Sequence, residues 1–191
     1  MERIFKAVFA MAALAALSAC ASTHMTVVDD GARVARPAPG KALVYFVRPT
    51  SFGGAVQATV YDSDSYIGTV SANTHVAYQA GPGRHLFMVI GESADFMRAD
   101  LTAGRTYYAK VQPRMGVWKA RFSFEPANGQ FSSKELSDWL AATKQVAVND
   151  EGRKWAAENA EDIRSKRVEY LPKWESKPGG EKQVLKAESG R

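Results

Sequence analysis

Ala42-Leu43-Val44-Tyr45-Phe46-Val47-Arg48 is the stretch on which the reading of this fold turns. Apolar side chains fill both sets of alternating positions, so both faces of a strand here need cover, which predicts a buried central strand. The chain beyond repeats the theme in shorter pieces. Gly53-Gly54 breaks the backbone before residues 56–61, where Val56, Ala58 and Val60 alternate with Gln57, Thr59 and Tyr61. The polar turn Asp62-Ser63-Asp64-Ser65 precedes a strand at 66–70, and another is expected near 75–79. In Gly81-Pro82-Gly83-Arg84, proline then glycine suits positions i+1 and i+2 of a type II turn, because glycine accepts the positive φ there. Strands follow at 85–90 and 96–101, and Thr102-Ala103-Gly104 turns the chain into 105–111. In the last strand Trp118, Ala120, Phe122 and Phe124 point one way, Lys119, Arg121 and Ser123 the other. About eight short strands with regular turn signals predict a mainly β fold, an antiparallel β-sandwich over residues 41–126.

Three of these pieces carry a resemblance. Tyr66-Ile67-Gly68, then Gly81-Pro82-Gly83-Arg84-His85, then Leu101-Thr102-Ala103-Gly104-Arg105-Thr106-Tyr107-Tyr108 resembles a family of uncharacterised bacterial lipoproteins. The family's small β-domain is similar to PEGA-type surface β-domains and is known as a domain of unknown function. The match covers roughly residues 41–125, and its motifs are turn and core residues. The family pattern has a glycine in the turn before Tyr66, where this chain has Asp62-Ser63-Asp64-Ser65. What the resemblance implies is a fold and an address, not an activity.

The N-terminus reads as an export signal. Arg3 and Lys6 form a basic leader diluted by Glu2, and Ala7 to Leu17 runs eleven residues without a polar side chain. As a helix that run would be roughly 16 Å long, about half of a hydrocarbon core of about 30 Å, which suits a signal h-region rather than a span. Leu17-Ser18-Ala19-Cys20 resembles the lipobox of bacterial lipoproteins. The resemblance implies loss of residues 1–19, a diacylglycerol thioether on Cys20, and acyl chains of the palmitate kind. One chain would bind a membrane marginally, whereas the three of a mature lipoprotein anchor stably. An uncleaved membrane helix fits less well, because Ser18, Ser22, Thr23, His24 and Thr26 interrupt the rest of the uncharged stretch 7–28. Cys20 is the single cysteine, so no thiol is left for a disulfide after acylation. Ala21 stands where an aspartate would, by a resemblance to the enterobacterial sorting pattern, retain the protein in the inner membrane; the outer membrane's periplasmic face is therefore expected. Residues 20–40, with Asp29-Asp30-Gly31 and Arg36-Pro37-Ala38-Pro39-Gly40, read as a flexible tether some tens of ångströms long.

Beyond Pro126 the pattern changes. Ser132 and Glu135 have capping-box spacing, and Leu136, Trp139 and Leu140 share a helical face. A second helix is expected from near Asn149 towards Tyr170, with a narrow stripe of Ala156, Ala160, Ile163 and Tyr170. Residues 127–171 thus read as a peripheral helical extension, and 172–191, with Pro178-Gly179-Gly180 and alternating charges, as a disordered tail.

The net charge of +5 includes +1 from the signal (Arg3 and Lys6 against Glu2). Residues 41–126 hold nine Lys and Arg against six Asp and Glu, without the basic stripe and interleaved aromatics that stack bases. No nucleic-acid partner is expected. His75 and His85, with Asp62 or Asp64, are the residues a metal would need, but no tight ligand motif joins them, and no metal or other cofactor is expected beyond the covalent lipid. Asp62 and Asp64 resemble the opening of a calcium loop without its glycine and distal glutamate, which leaves a solvated turn. No Gly-x-Ser-x-Gly elbow or phosphate loop occurs. Tyr107, Tyr108, Trp118, Phe122 and Phe124 are weighed as a sugar-binding face against core packing, and core packing is the default.

With no catalytic residues assigned, the expectation is a non-enzymatic, lipid-anchored envelope lipoprotein whose sandwich is an interaction or structural module. Its partners would be the membrane and an envelope protein or peptidoglycan. A peptidoglycan- or glycan-binding module is the alternative, and an enzyme of unknown type the third. Exposure of Tyr61, Tyr66, Tyr78 and Tyr108 separates the first two: clustered exposed rings favour glycan.

Overall fold

A computed structural model describes residues 22–114 and 121–191; Cys20, Trp118, Lys119 and Ala120 lie outside the described residues. Eleven strands are present among them: β1 (Met25–Val27), β2 (Ala42–Arg48), β3 (Ala58–Asp62), β4 (Ser65–Val70), β5 (Thr74–Ala80), β6 (Gly83–Ile90), β7 (Ala94–Leu101), β8 (Thr106–Arg114), β9 (Arg121–Pro126), β10 (Lys144–Val148) and β11 (Gln183–Leu185). Three α-helices join them: α1 (Ser133–Ala141), α2 (Asp150–Glu158) and α3 (Ala160–Glu175). One sheet runs β1-β10-β5-β2-β8-β9, the other β11-β7-β6-β3-β4.

The two sheets pack face to face. Val44 and Phe46 of β2, Phe87 and Val89 of β6 and Phe122 and Phe124 of β9 share the core between them. The opposite side of β2 presents Leu43, Tyr45 and Val47, which are covered by Leu136 and Trp139 of α1. The outer face of the second sheet is covered as well, with Tyr61, Met88, Ile90 and Phe96 beneath Ile163 and Trp174. The result is four layers, helix, sheet, sheet and helix. It explains why every residue of β2 is buried, as its doubly apolar pattern requires. Gly83 has φ +109°, the left-handed backbone expected of that turn glycine.

Arg48 closes the same strand in an unusual way: it is fully buried. Its guanidinium donates to the Val56, Phe52 and Gly53 carbonyls at 2.6, 2.9 and 2.7 Å and lies 5.1 Å from the Phe122 ring centre. It thereby holds the β2–β3 connection over the core, and burial pushes its pKa down.

Several expectations are corrected. The sheets are mixed, not purely antiparallel: β2 pairs with β8, β5 with β10 and β7 with β11 in parallel. There are eleven strands among the described residues rather than about eight, because β1, β10 and β11 are supplied by the expected tether, helical extension and tail. From Ser22 onward the tether is bound to the fold. β1 pairs with β10 from Met25↔Val148 to Val27↔Val146, Ser22 is buried, and the Gln79 side chain bridges the Ala38 amide and the Arg36 carbonyl.

The expected helical extension is likewise no appendage, since β10 lies between β1 and β5 in the first sheet. Ser132 and Glu135 do form the capping box, with reciprocal bonds at 3.2 and 2.8 Å. The second expected helix is two, broken at Asn159.

The tail is the largest correction. Trp174 is buried against Phe96, with its indole N–H 2.9 Å from Gln183 Oε1. Leu185 of β11 is fully buried, and the last residue, Arg191, exchanges two backbone hydrogen bonds with Thr106. Alternating charges and Pro178-Gly179-Gly180 suggest disorder, but a few buried apolar side chains, Trp174 and Leu185 among them, suffice to hold a polar segment down.

Candidate functional site

The histidines expected as the chemically versatile residues stand in different sheets. His85 Nδ1 is 2.7 Å from Asp62 Oδ2 and Nε2 is 2.9 Å from the Gly81 carbonyl, while the ring stacks on Phe87. Tyr78 donates to the same Asp62 oxygen at 3.0 Å. This cluster ties β3 to the β5–β6 turn, so its polar groups are committed to one another. Asp64 pairs with Arg167 of α3 at 2.9 Å. Among the described residues no group of three His, Cys, Asp or Glu side chains converges to hold a metal.

His75 is buried beneath α1. Thr143 donates its hydroxyl to the Trp139 carbonyl at 2.7 Å, so the bond of 2.7 Å between Thr143 Oγ1 and His75 Nδ1 must be donated by the ring. Desolvation, opposed in part by Gln145, pulls the His75 pKa down to about 4 from 6.5. The folded value lies below the unfolded one, so the neutral ring's contribution is complete above about pH 6.5 and is lost as pH falls towards 4. The expected loss is on the order of 3 kcal/mol across that window. Urea melts at pH 7 and pH 4.5 should show this loss in the natural chain. His75→Asn, which keeps a donor near Nδ1 but does not titrate, should lack that portion of it.

The aromatic residues divide. Tyr107, Phe122 and Phe124 are core, and Tyr108 stacks on Tyr45 at 5.3 Å. Tyr61 is buried, Tyr66 bonds Thr69 at 2.6 Å, and Tyr78 is spent on Asp62. These four tyrosines build no open ring platform.

A different constellation lies where the end of β8 and the starts of β9 and β7 meet under the C-terminal end of α3. A cleft of about 620 Å³ opens there. Arg114, Arg121, Lys173 and Lys177 line it, and Asp95 is the single carboxylate among its described lining residues. Phe122, Tyr170 and Trp174 form its apolar wall. Lys177 Nζ is 3.1 Å from Asp95 Oδ1, while Asp95 Oδ2 is buried without a hydrogen-bond partner among the described residues. Burial pushes the Asp95 carboxyl up, against the opposing pull of Lys177, the Phe96 amide and Arg114. Arg114 Nε donates to Ser123 Oγ at 2.6 Å, which holds the guanidinium against β9. Lys173 reaches Glu169 at 2.9 Å.

Nothing in the sequence pattern announced these residues. Positions 95, 114, 121, 173 and 177 share no motif, and the chain brings them together only through the packing of α3 and β9 around β7. Such a surplus of cations can bind oxyanions, with guanidinium groups suited to two parallel hydrogen bonds.

No family model matches the chain and no curated protein matches it, so the likeness to the lipoprotein β-domain rests on the turn and core motifs of residues 66–108 alone.

Proposed function

We propose that the protein is an exported lipoprotein, lipid-anchored through Cys20 on the periplasmic face of the outer membrane, whose sandwich is a non-catalytic interaction module. The observation that carries this reading is the distance between the lipobox and the fold. Ser22 is buried and accepts a hydrogen bond from the Met25 amide, and β1 begins at Met25. Two residue steps separate Cys20 from Ser22, a reach of about 7 Å at most. His24 stacks on Trp155 of α2 at 4.9 Å, and a Cβ on Gly152 would lie 2.3 Å from the His24 carbonyl oxygen, so α2 is seated directly on this segment. A lipid on Cys20 would therefore hold the sandwich against the headgroups, not at the end of a tether.

The absence of an open platform at Tyr61, Tyr66, Tyr78 and Tyr108 favours an interaction module over a stacked-sugar receptor among those rings. Cys20→Ser tests the anchor. The variant should leave the membrane fraction after salt and carbonate washing, whereas the natural chain should stay. Persistence of the serine variant in washed membranes would refute the lipid anchor.

A further inference from the structure

We propose that the cleft under the C-terminal end of α3 binds a small hydroxylated oxyanion of the sugar-acid or sugar-phosphate class. The first reason is an arrangement that works against the fold. Arg114 and Arg121 are direct cross-strand partners in the β8–β9 register, and both line the cleft. Like charges placed opposite one another in an antiparallel pair repel, and Lys173 and Lys177 face the same space. Lys177 is engaged by Asp95 and Lys173 by Glu169, so the arginine pair faces no further carboxylate among the described lining residues. An oxyanion set between the guanidiniums would relieve the repulsion with charge-assisted hydrogen bonds.

The second reason is independent of net charge. Asp95 Oδ2 is a buried acceptor at the cleft wall without a partner among the described residues. Sulfate brings no donor for this carboxylate, whereas a hydroxyl next to the anionic group would donate to it once the carboxylate turns to present that oxygen to the cleft. The volume of about 620 Å³ lies within the usual range for small-molecule sites, roughly 300–1,000 Å³. A mono- or disaccharide carrying one carboxylate or phosphate meets all three requirements: size, charge and an adjacent donor. This ligand class goes beyond the interaction-module reading, and it does not depend on the lipid anchor.

The test is calorimetric titration of the full chain in a neutral detergent with glucuronate, glucose 6-phosphate, glucose and sulfate. At least one of the two anionic sugars should bind, at least tenfold more tightly than glucose or sulfate, and the tighter of them identifies the oxyanion. Affinity should fall at least fivefold between 20 mM and 300 mM salt, since the cleft is open to screening. Arg114→Gln with Arg121→Gln should lose at least tenfold in binding while its thermal midpoint is kept or raised. Lys173→Gln, on the helix, should weaken binding in the same direction without touching the sheet. Failure of both anionic sugars to bind would overturn the proposal. So would glucose or sulfate binding equally well, or unchanged binding in the double variant. Detachment of Cys20→Ser from membranes is read separately, so failure of either idea leaves the other standing.

Discussion

A chain ending at Leu171 should lose more than about 5 kcal/mol of stability, comparable to the whole margin of a small domain. The truncation removes Trp174, which is 2% exposed over Phe96, and Leu185, which is fully buried in the core between the sheets. Loss of a buried tryptophan side chain costs about 3–5 kcal/mol and of a leucine about 2–5. The cut also uncovers the edge of β7 that β11 occupies through Met97, Arg98 and Ala99. It strips the Ala187 carbonyl from the Tyr107 hydroxyl, and it removes the Glu175 carboxylate that receives Arg98 at 2.6 Å. Urea melts of the two chains would check this. Coincident midpoints and slopes would mean that residues beyond Leu171 are dispensable, as the composition of that tail suggests.

Phe122→Ala should cost about 3–5 kcal/mol, whereas Arg121→Ala, one residue away, should cost less than about 0.5 kcal/mol. Phe122 is 3% exposed and belongs to the cluster shared by both sheets, while Arg121 is solvent-exposed at the rim of the cleft. Deleting the ring also takes away the aromatic face beside the buried Arg48 guanidinium, which among the described residues is held by that face and the loop carbonyls of Phe52, Gly53 and Val56. Equal losses from the two substitutions in denaturant melts would contradict the assignment of the strand's faces.

The strands from β2 to β9 were legible because their residues alternate or run apolar over five or more positions. Ala42–Arg48 is located to the residue, and Gly83 turns where Pro82-Gly83 demands. β11 offers a three-residue window with one fully buried side chain, Leu185, and no periodicity can be read from that. β10, Lys-Gln-Val-Ala-Val, sits between two helical patterns and shows its role only when β1 and β5 flank it. The single helix expected from Asn149 is cut at Asn159 because Ile163 and Trp174 must reach the second sheet. The histidines stand out in the sequence for their chemistry, yet the fold commits both to hydrogen bonds with partners distant in the chain, Thr143 and Asp62.

By itself the sequence determined what depends on neighbours along the chain: the strand and turn order of 42–126 and the capping box at Ser132. Each of these is a short-range pattern whose physics, a period of two or a reciprocal side-chain bond, is complete within a few residues. Only the tertiary structure decided the rest. It places the sheet partners of β1, β10 and β11, buries a polar tail, and gathers Asp95, Arg114, Arg121, Lys173 and Lys177 around one cleft. Those outcomes depend on which gaps and open edges the packed layers leave, and a gap has no signature in the segment that will fill it.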